Sequence, residues 1–298
     1  MAAEKSVLIT GCSDGGIGSA LAKAFQAQGL CVFATARTVS KMASLEELPS
    51  ITLLPLDVTS SASIAAAVEA VKLQTNGTLD YLVNNAAINQ YFPALDHDIN
   101  DAKKMFDTNY WGAFEMTQKF SPLLIASKGT IVSISSISAH ANIPYCSKWL
   151  FFCKNPGRIV LSQHVGALAA SKRSLEILMD TLRVELRPFG VSTLIVVNGV
   201  VRSNAQNYKH FEDWKLPEHS LYKPLEDLIH ERIQEKDGVY SDGIARADTA
   251  QHAKKLVDKI VAGTTGAIWC GGQAGGTRFA TKYLPQFAMV GLGKYPLL

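Results

Sequence analysis

Long apolar runs are missing from this chain. No stretch reaches membrane-spanning length. Cysteine is sparse. Cys12, Cys31, Cys146, Cys153 and Cys270 show neither a CxxC nor a metal-ligand spacing, which removes a disulfide framework and a bound metal from the expectations. An odd, scattered set fits a reducing compartment. Charge is modest too, at 18% with a net +3, and the basic residues form no stripe. The charge pattern therefore offers nothing to a nucleic acid. There is no repeat, linker or low-complexity tract, and with the first strand expected by Ser6 no signal peptide is expected. The expected location is cytoplasmic. What remains is a 298-residue chain, 47% apolar, long enough for a substantial core and read here as a single domain over residues 1–298.

Its organising stretch is Val7-Leu8-Ile9-Thr10-Gly11-Cys12-Ser13-Asp14-Gly15-Gly16-Ile17-Gly18, followed at once by an amphipathic helix from Ser19. A β-branched run, a glycine-rich turn and a helix start, in that order, read as a phosphate site: glycines admit a close backbone approach and the first helical N–H groups face the anion. Further apolar runs lie at 30–36, 51–56, 79–83, 129–134, 191–197 and 267–270. Helical patterns lie between them, at 41–48, 60–73, 102–127 and 167–187, the last stopped by Pro188 and Gly190. Continuously apolar strands alternating with helices predict an α/β fold, a Rossmann-type doubly wound parallel sheet covered on both faces. Residues 204–246 are polar, aromatic and weakly patterned, and read as an inserted lid.

In such a sheet the end of the second strand reaches the adenosine ribose. Arg37 stands there, with Lys41 nearby. A guanidinium matches a 2′-phosphate, so NADP(H) is the expected cofactor rather than NAD(H). Asp57 and Val58, after the third strand, are placed at the adenine edge. Asn85, Ala86 and Ala87, after the fourth, leave room for the cofactor to lie flat.

Taken together, Thr10-Gly11…Gly16-Ile17-Gly18, Asp57-Val58, Asn84-Asn85-Ala86-Ala87, Asn109, Ser135-Ser136 and Ala170-Ser171-Lys172 resemble the classical short-chain dehydrogenase/reductase family. Within it, Gly11-Cys12-Ser13-Asp14-Gly15-Gly16-Ile17-Gly18, Ala34-Thr35-Ala36-Arg37, Phe92-Pro93-Ala94-Leu95-Asp96 and Gly271-Gly272 are similar to the fungal NADPH-dependent 1-acyldihydroxyacetone-phosphate reductase group, where the extra glycine is usual. Related fungal enzymes also serve secondary metabolism. The resemblance implies a dinucleotide site at Gly11, Ser13, Gly16, Ile17, Gly18, Arg37, Asp57, Val58, Asn85, Ala86, Lys172, Val201 and Ser203. It implies that Asn109 holds a relay water, that Ser136 bonds the substrate carbonyl, and that Lys172 supports a tyrosine acid. It also implies assembly of two or four copies through the helices around 102–127 and 167–187.

Two departures matter. Leu168 stands four residues before Lys172, where the family has its tyrosine, and leucine has no proton to donate. Just upstream, Cys146–His164 lengthens the interval between Ser136 and Leu168. That stretch, with Trp149, Phe151 and Phe152, reads either as a lid of this protein or as translated intron. Tyr145 and Lys148 form a Tyr-x-x-Lys, and a loop folding back would make Tyr145 a replacement acid; His140 and His164 are further candidates. Asn198 replaces the family proline after the sixth strand, whereas Ser203 keeps a hydroxyl for the carboxamide of nicotinamide. The expected activity is reduction of a hydrophobic ketone, with a non-redox isomerase or cyclase, or an inactive cofactor-binding protein, as alternatives on the same scaffold. The apolar, Gly/Pro-broken residues 283–298 offer a peripheral contact with an endomembrane or lipid surface.

Overall fold

The computed structural model describes residues 4–90, 92–140, 166–203, 214–227, 229 and 246–283. Seven strands form one parallel sheet: β1 (Ser6–Thr10), β2 (Cys31–Ala36), β3 (Ile51–Pro55), β4 (Tyr81–Asn84), β5 (Thr130–Ser136), β6 (Ser192–Asn198) and β7 (Gly266–Cys270). Their order is β3-β2-β1-β4-β5-β6-β7. The chain reverses direction across the sheet between β1 and β4, and at such a switch point the loops diverge and leave a crevice at the C-terminal strand ends. This is the Rossmann-type doubly wound sheet expected from the alternating pattern.

Successive strand residues point to opposite faces, which explains two cores instead of one. Val7 and Ile9, Val132 and Ile134, and Leu194 and Val196 pack on one side, against α1 (Ile17–Ala27) and α6 (Thr249–Val261). Leu8, Ile131, Ile195 and Val197 pack on the other, against α2 (Ser61–Thr75), α4 (Ala113–Ser127) and α5 (Gly166–Glu185). Both faces are covered, so the strands need no polar side, and their continuous apolar runs follow from that.

Several expected boundaries shift. The helix expected at 41–48 is a 3₁₀ segment over Val39–Leu45, kinked at Met42. The fourth strand begins at Tyr81 rather than at residue 79. The long helix of 102–127 starts earlier, as α3 (Ile99–Phe106), and passes through a π turn at Asp107–Gly112 before α4. Two helices absent from the sequence reading are present: α6, and α7 (Ala274–Tyr283). The signal for α6 was there to find. Asp248 caps it by accepting from Gln251 N, and Ala253, Leu256, Val257 and Ile260 make its buried stripe.

Part of the region expected as a lid is described. Trp214, Leu216 and Ile229 form a small apolar cluster with Phe92, Tyr222 and Leu225. Ser220 Oγ donates to Asp96 Oδ2 at 2.6 Å, tying this cluster to the chain that follows β4. Residues 146–164, Tyr145 and the tail after Tyr283 lie outside the described residues. Among the described residues no helix is long and apolar enough to cross a membrane.

The entry into α1 depends on close backbone approach. A Cβ on Gly18 would stand 2.3 Å from the Gly11 carbonyl oxygen and 2.7 Å from Asn85 Nδ2. The nearest obstacle is backbone and cannot swing away. Gly18→Ala should therefore cost about 2 kcal/mol of stability, measured as a lower urea midpoint with an unchanged slope.

Candidate active site

The turn after β1 is shaped by the residues that the glycine spacing left unexplained. Gly15 takes a positive φ of 71°, and Asp14 bonds the Ser44 hydroxyl at 2.6 Å and accepts from Ser44 N. The extra residue is thus folded outwards onto the 3₁₀ segment, and Gly16 still arrives at the start of α1. Gly16 provides no side-chain cap, and the first turn of α1 carries no acidic residue. Its N–H groups are left for an anion. From the opposite side Asn85 holds the turn in place: its Nδ2 donates to the carbonyls of Thr10 (2.8 Å) and Gly11 (3.1 Å). Thr10 Oγ1 accepts from the amides of Asn85 and Ala86.

A cavity of about 650 Å³ opens along the C-terminal strand ends. Gly11, Ser13, Gly16 and Ile17 line it at the turn. Arg37 lies at the end of β2, Asp57 and Val58 after β3, and Asn85 and Ala86 after β4. Ser136, Lys172 and Ser203 line its other end, with Leu168 beside them. The structure therefore brings together most of the residues expected at a dinucleotide site. The donors fit that group: an open helix N-terminus for the pyrophosphate and a guanidinium for a 2′-phosphate. Asp57 is shaped for hydrogen bonding. The Thr59 amide and hydroxyl both donate to it, and the first of these bonds, more than the nearby Arg37, holds its carboxyl below the ordinary value.

Three expected site residues do not line this cavity. Gly18 serves the packing of α1 against the β1 turn. Val201 is buried and bridges to Ala247. Asn109, in the π turn, is only 1% exposed. Its Oδ1 accepts from Ile88 N, and its Nδ2 donates to Ile88 O and to Ser171 Oγ. Its side-chain amide is committed to Ile88 and Ser171. Asp107 and Thr108 of the same turn face the cavity in its place. Tyr145, the proposed substitute acid, lies outside the described residues.

The two adjacent serines both line the cavity and differ in their hydrogen bonds. Ser135 Oγ donates to Glu176 Oε1 on α5 at 2.5 Å. Ser136 Oγ accepts from Ser138 N at 3.1 Å, an arrangement that leaves its own O–H to donate. Lys172 Nζ donates to the Ile134 carbonyl at 2.7 Å. Burial pushes the Lys172 ammonium down to about 8, against the opposing pull of Glu176.

Glu176 was not among the expected site residues, although its i,i+4 relation to Lys172 on α5 was a legible signal. Its side chain is 4% exposed, with Arg173 Nη1 at 2.8 Å and His140 Nε2 at 2.9 Å. Burial alone would raise this carboxyl, but the bonds from His140, Ser135 and Arg173 together hold it below the ordinary value. His140, expected as a proton source, is therefore engaged with Glu176 and lies against the Trp269 ring, with centroids 4.7 Å apart.

A family model described as short chain dehydrogenase matches residues 5–148. The short-chain dehydrogenase ptmH of Penicillium ochrochloron is 40% identical over 283 residues, covering 95% of this chain and 94% of that one. The chain belongs to the short-chain dehydrogenase family. The NADPH-dependent 1-acyldihydroxyacetone phosphate reductase of Schizosaccharomyces pombe is 39% identical over 233 residues, 78% of this chain and 72% of that protein. The crystal structure of a short-chain dehydrogenase from Streptomyces avermitilis shares the fold, with a TM-score of 0.70 at 23% identity over 99% of each chain. In this short-chain dehydrogenase, then, Leu168 lines the cavity from the first turn of α5 with an apolar side chain.

The Glu176 cluster yields a pH prediction. A carboxyl lowered in the folded protein contributes stability that is full above its unfolded value, 4.5, and is lost as pH falls through the folded value. Glu176→Gln should cost about 2 kcal/mol at pH 7, the scale of hydrogen bonds to a buried charge. In urea titrations the gap between the two proteins should close as pH is lowered below the ordinary carboxylate range.

Proposed function

We propose that this short-chain dehydrogenase is an NADP(H)-dependent reductase of a hydrophobic ketone, an acyl ketone or a secondary-metabolite carbonyl, with proton delivery altered by Leu168. The observation that carries the reading is a single cavity joining Arg37 and the open α1 terminus to Ser136 and Lys172. The NADPH dependence of the Schizosaccharomyces pombe relative supports the same cofactor. When bound, NADPH supplies the hydride.

The chain's own residues do the rest. Arg37 pairs with the 2′-phosphate, the first-turn amides of α1 take the pyrophosphate, and Ser203 offers its hydroxyl to the carboxamide. Ser136 donates to the carbonyl oxygen. Lys172, shifted to about 8, is the described cavity residue whose proton is held near working pH, and it can transfer that proton to the same oxygen. Ile88, Ile134 and Leu168 give the reacting end apolar walls. Trp111, Ile177 and Val184 are 55%, 57% and 74% exposed, and supply apolar surface for pairing two copies.

A second reading, a non-redox isomerase or cyclase, is favoured by Leu168 and the aromatic stretch of 146–164, because the position of the usual acid is apolar. The two are separated by following NADPH absorbance with long-chain acyl ketones and polyketide-like ketones, for the natural protein beside Leu168→Tyr. A weak natural reductase should gain about 10²-fold or more from the tyrosine, the typical contribution of a positioned acid. Product formed without net loss of NADPH would replace the reductase reading with the non-redox one.

A further inference from the structure

The far wall of the cavity is made by the strip after β6, where Asn198, Gly199 and Ser203 face inwards. The strip has almost no tolerance behind it. Gly199 N donates to the Cys270 carbonyl and Val200 N to the Gly272 carbonyl, each at 2.8 Å, and a Cβ on Gly199 would overlap the Gly272 oxygen at 1.9 Å. Arg202 N donates to Ala247 O at 3.0 Å. Backbone bonds to β7 and to the entrance of α6 therefore hold Gly199, Val200 and Arg202. At the head of the strip stands Asn198, with no ring to restrict its φ as a proline would.

A chain of side chains reaches Asn198 from behind. His252 Nε2 lies 3.1 Å from Asn198 Oδ1, and Cys270 Sγ lies 3.5 Å from His252 Nδ1. Asn198 and Cys270 are register partners on β6 and β7, so the strand pairing aims both side chains at α6. His252 is 3% exposed. Burial, with Lys255 adding to it, pushes its imidazole down to about 4, so the ring is neutral at physiological pH and carries one N–H. Facing the carbonyl oxygen of Asn198, that hydrogen sits on Nε2, and Nδ1 is left to accept the Cys270 S–H. Every member of the chain has a partner, and its direction is fixed. Neither His252 nor Cys270 lines the cavity; they act through Asn198.

We propose that His252 and Cys270 are positioning residues for the nicotinamide-facing wall, fixing Asn198 where a proline ring would otherwise restrict the backbone. The inference rests on the dinucleotide reading of the cavity. Its consequence is selective: loosening Asn198 disturbs the end of the cavity beside Ser203 and Lys172 and leaves the Arg37 end unchanged.

The test uses two ligands, NADPH and adenosine 2′,5′-bisphosphate, which reaches only the Arg37 end, titrated against the full chain. His252→Leu should weaken NADPH about tenfold, the worth of one buried hydrogen bond, while adenosine 2′,5′-bisphosphate stays within about twofold. His252→Gln, which keeps an N–H for Asn198, should restore NADPH binding. Should His252→Leu fail to fold, Cys270→Val and Cys270→Ser make the same comparison: the valine removes the S–H at similar volume and weakens NADPH alone, and the serine restores a donor. Equal weakening of both ligands, or no change in NADPH, overturns the proposal. If the natural protein binds neither ligand, the dinucleotide reading itself falls and this inference falls with it.

Discussion

The structure depends on how closely the turn after β1 approaches the end of β4. Thr10 Oγ1 accepts from two successive amides, at Asn85 and Ala86, while Asn85 returns its own amide hydrogens to Thr10 O and Gly11 O. A Cβ on Gly11 would stand 2.9 Å from Ala86 Cα. This reciprocal bonding joins the two strands at the switch point, where no ladder continues. It holds the phosphate-facing turn open, and because each polar group has a partner the approach carries no desolvation debt. The position of α1, and so of every anion-facing amide, follows from it.

A second constraint governs the reacting end. Burying Lys172 disfavours its charge, and the buried carboxylate four residues on restores part of that loss. Glu176 is itself tolerable only because Ser135, His140 and Arg173 converge on it. A buried charge of this kind contributes little net stability, but it dictates geometry, since every partner must be in place for any to be affordable. Here the geometry commits the Ser135 hydroxyl to Glu176 and leaves the Ser136 O–H to donate, with both serines lining the cavity. The π turn acts in a similar way: Asn109 closes Ile88 and Ser171 into one unit and presents Asp107 and Thr108.

The two positions where the resemblance implies a different residue, Asn198 and Leu168, are met differently. At Asn198 the local rigidity of proline is replaced by a hydrogen-bonded chain through α6. At Leu168 nothing among the described residues takes over the tyrosine hydroxyl. Lys172, four residues on along α5, lines the same cavity and is moved by burial into the range where proton transfer is useful.

Local patterns determined the strand order of the chain, the two-faced sheet, the glycine turn and the placing of Arg37, because apolar runs and glycine spacings report directly on backbone geometry. Leu168 was legible for the same reason, as a fixed offset from Lys172 on one helix. The chain by itself left open which of Ser135 and Ser136 keeps a hydroxyl to donate, since both occupy one strand end and line the cavity, and only the bond from Ser135 to Glu176 separates them. It also gave no sign that the Asn109 amide bonds Ile88 and Ser171. His252 lies far from Asn198 and Cys270 along the chain, and only the pairing of β6 with β7 under α6 brings the three together. Contacts within a helix or strand recur at fixed spacing and can be read in advance, whereas the partner of a buried polar group is decided by which elements the fold lays side by side.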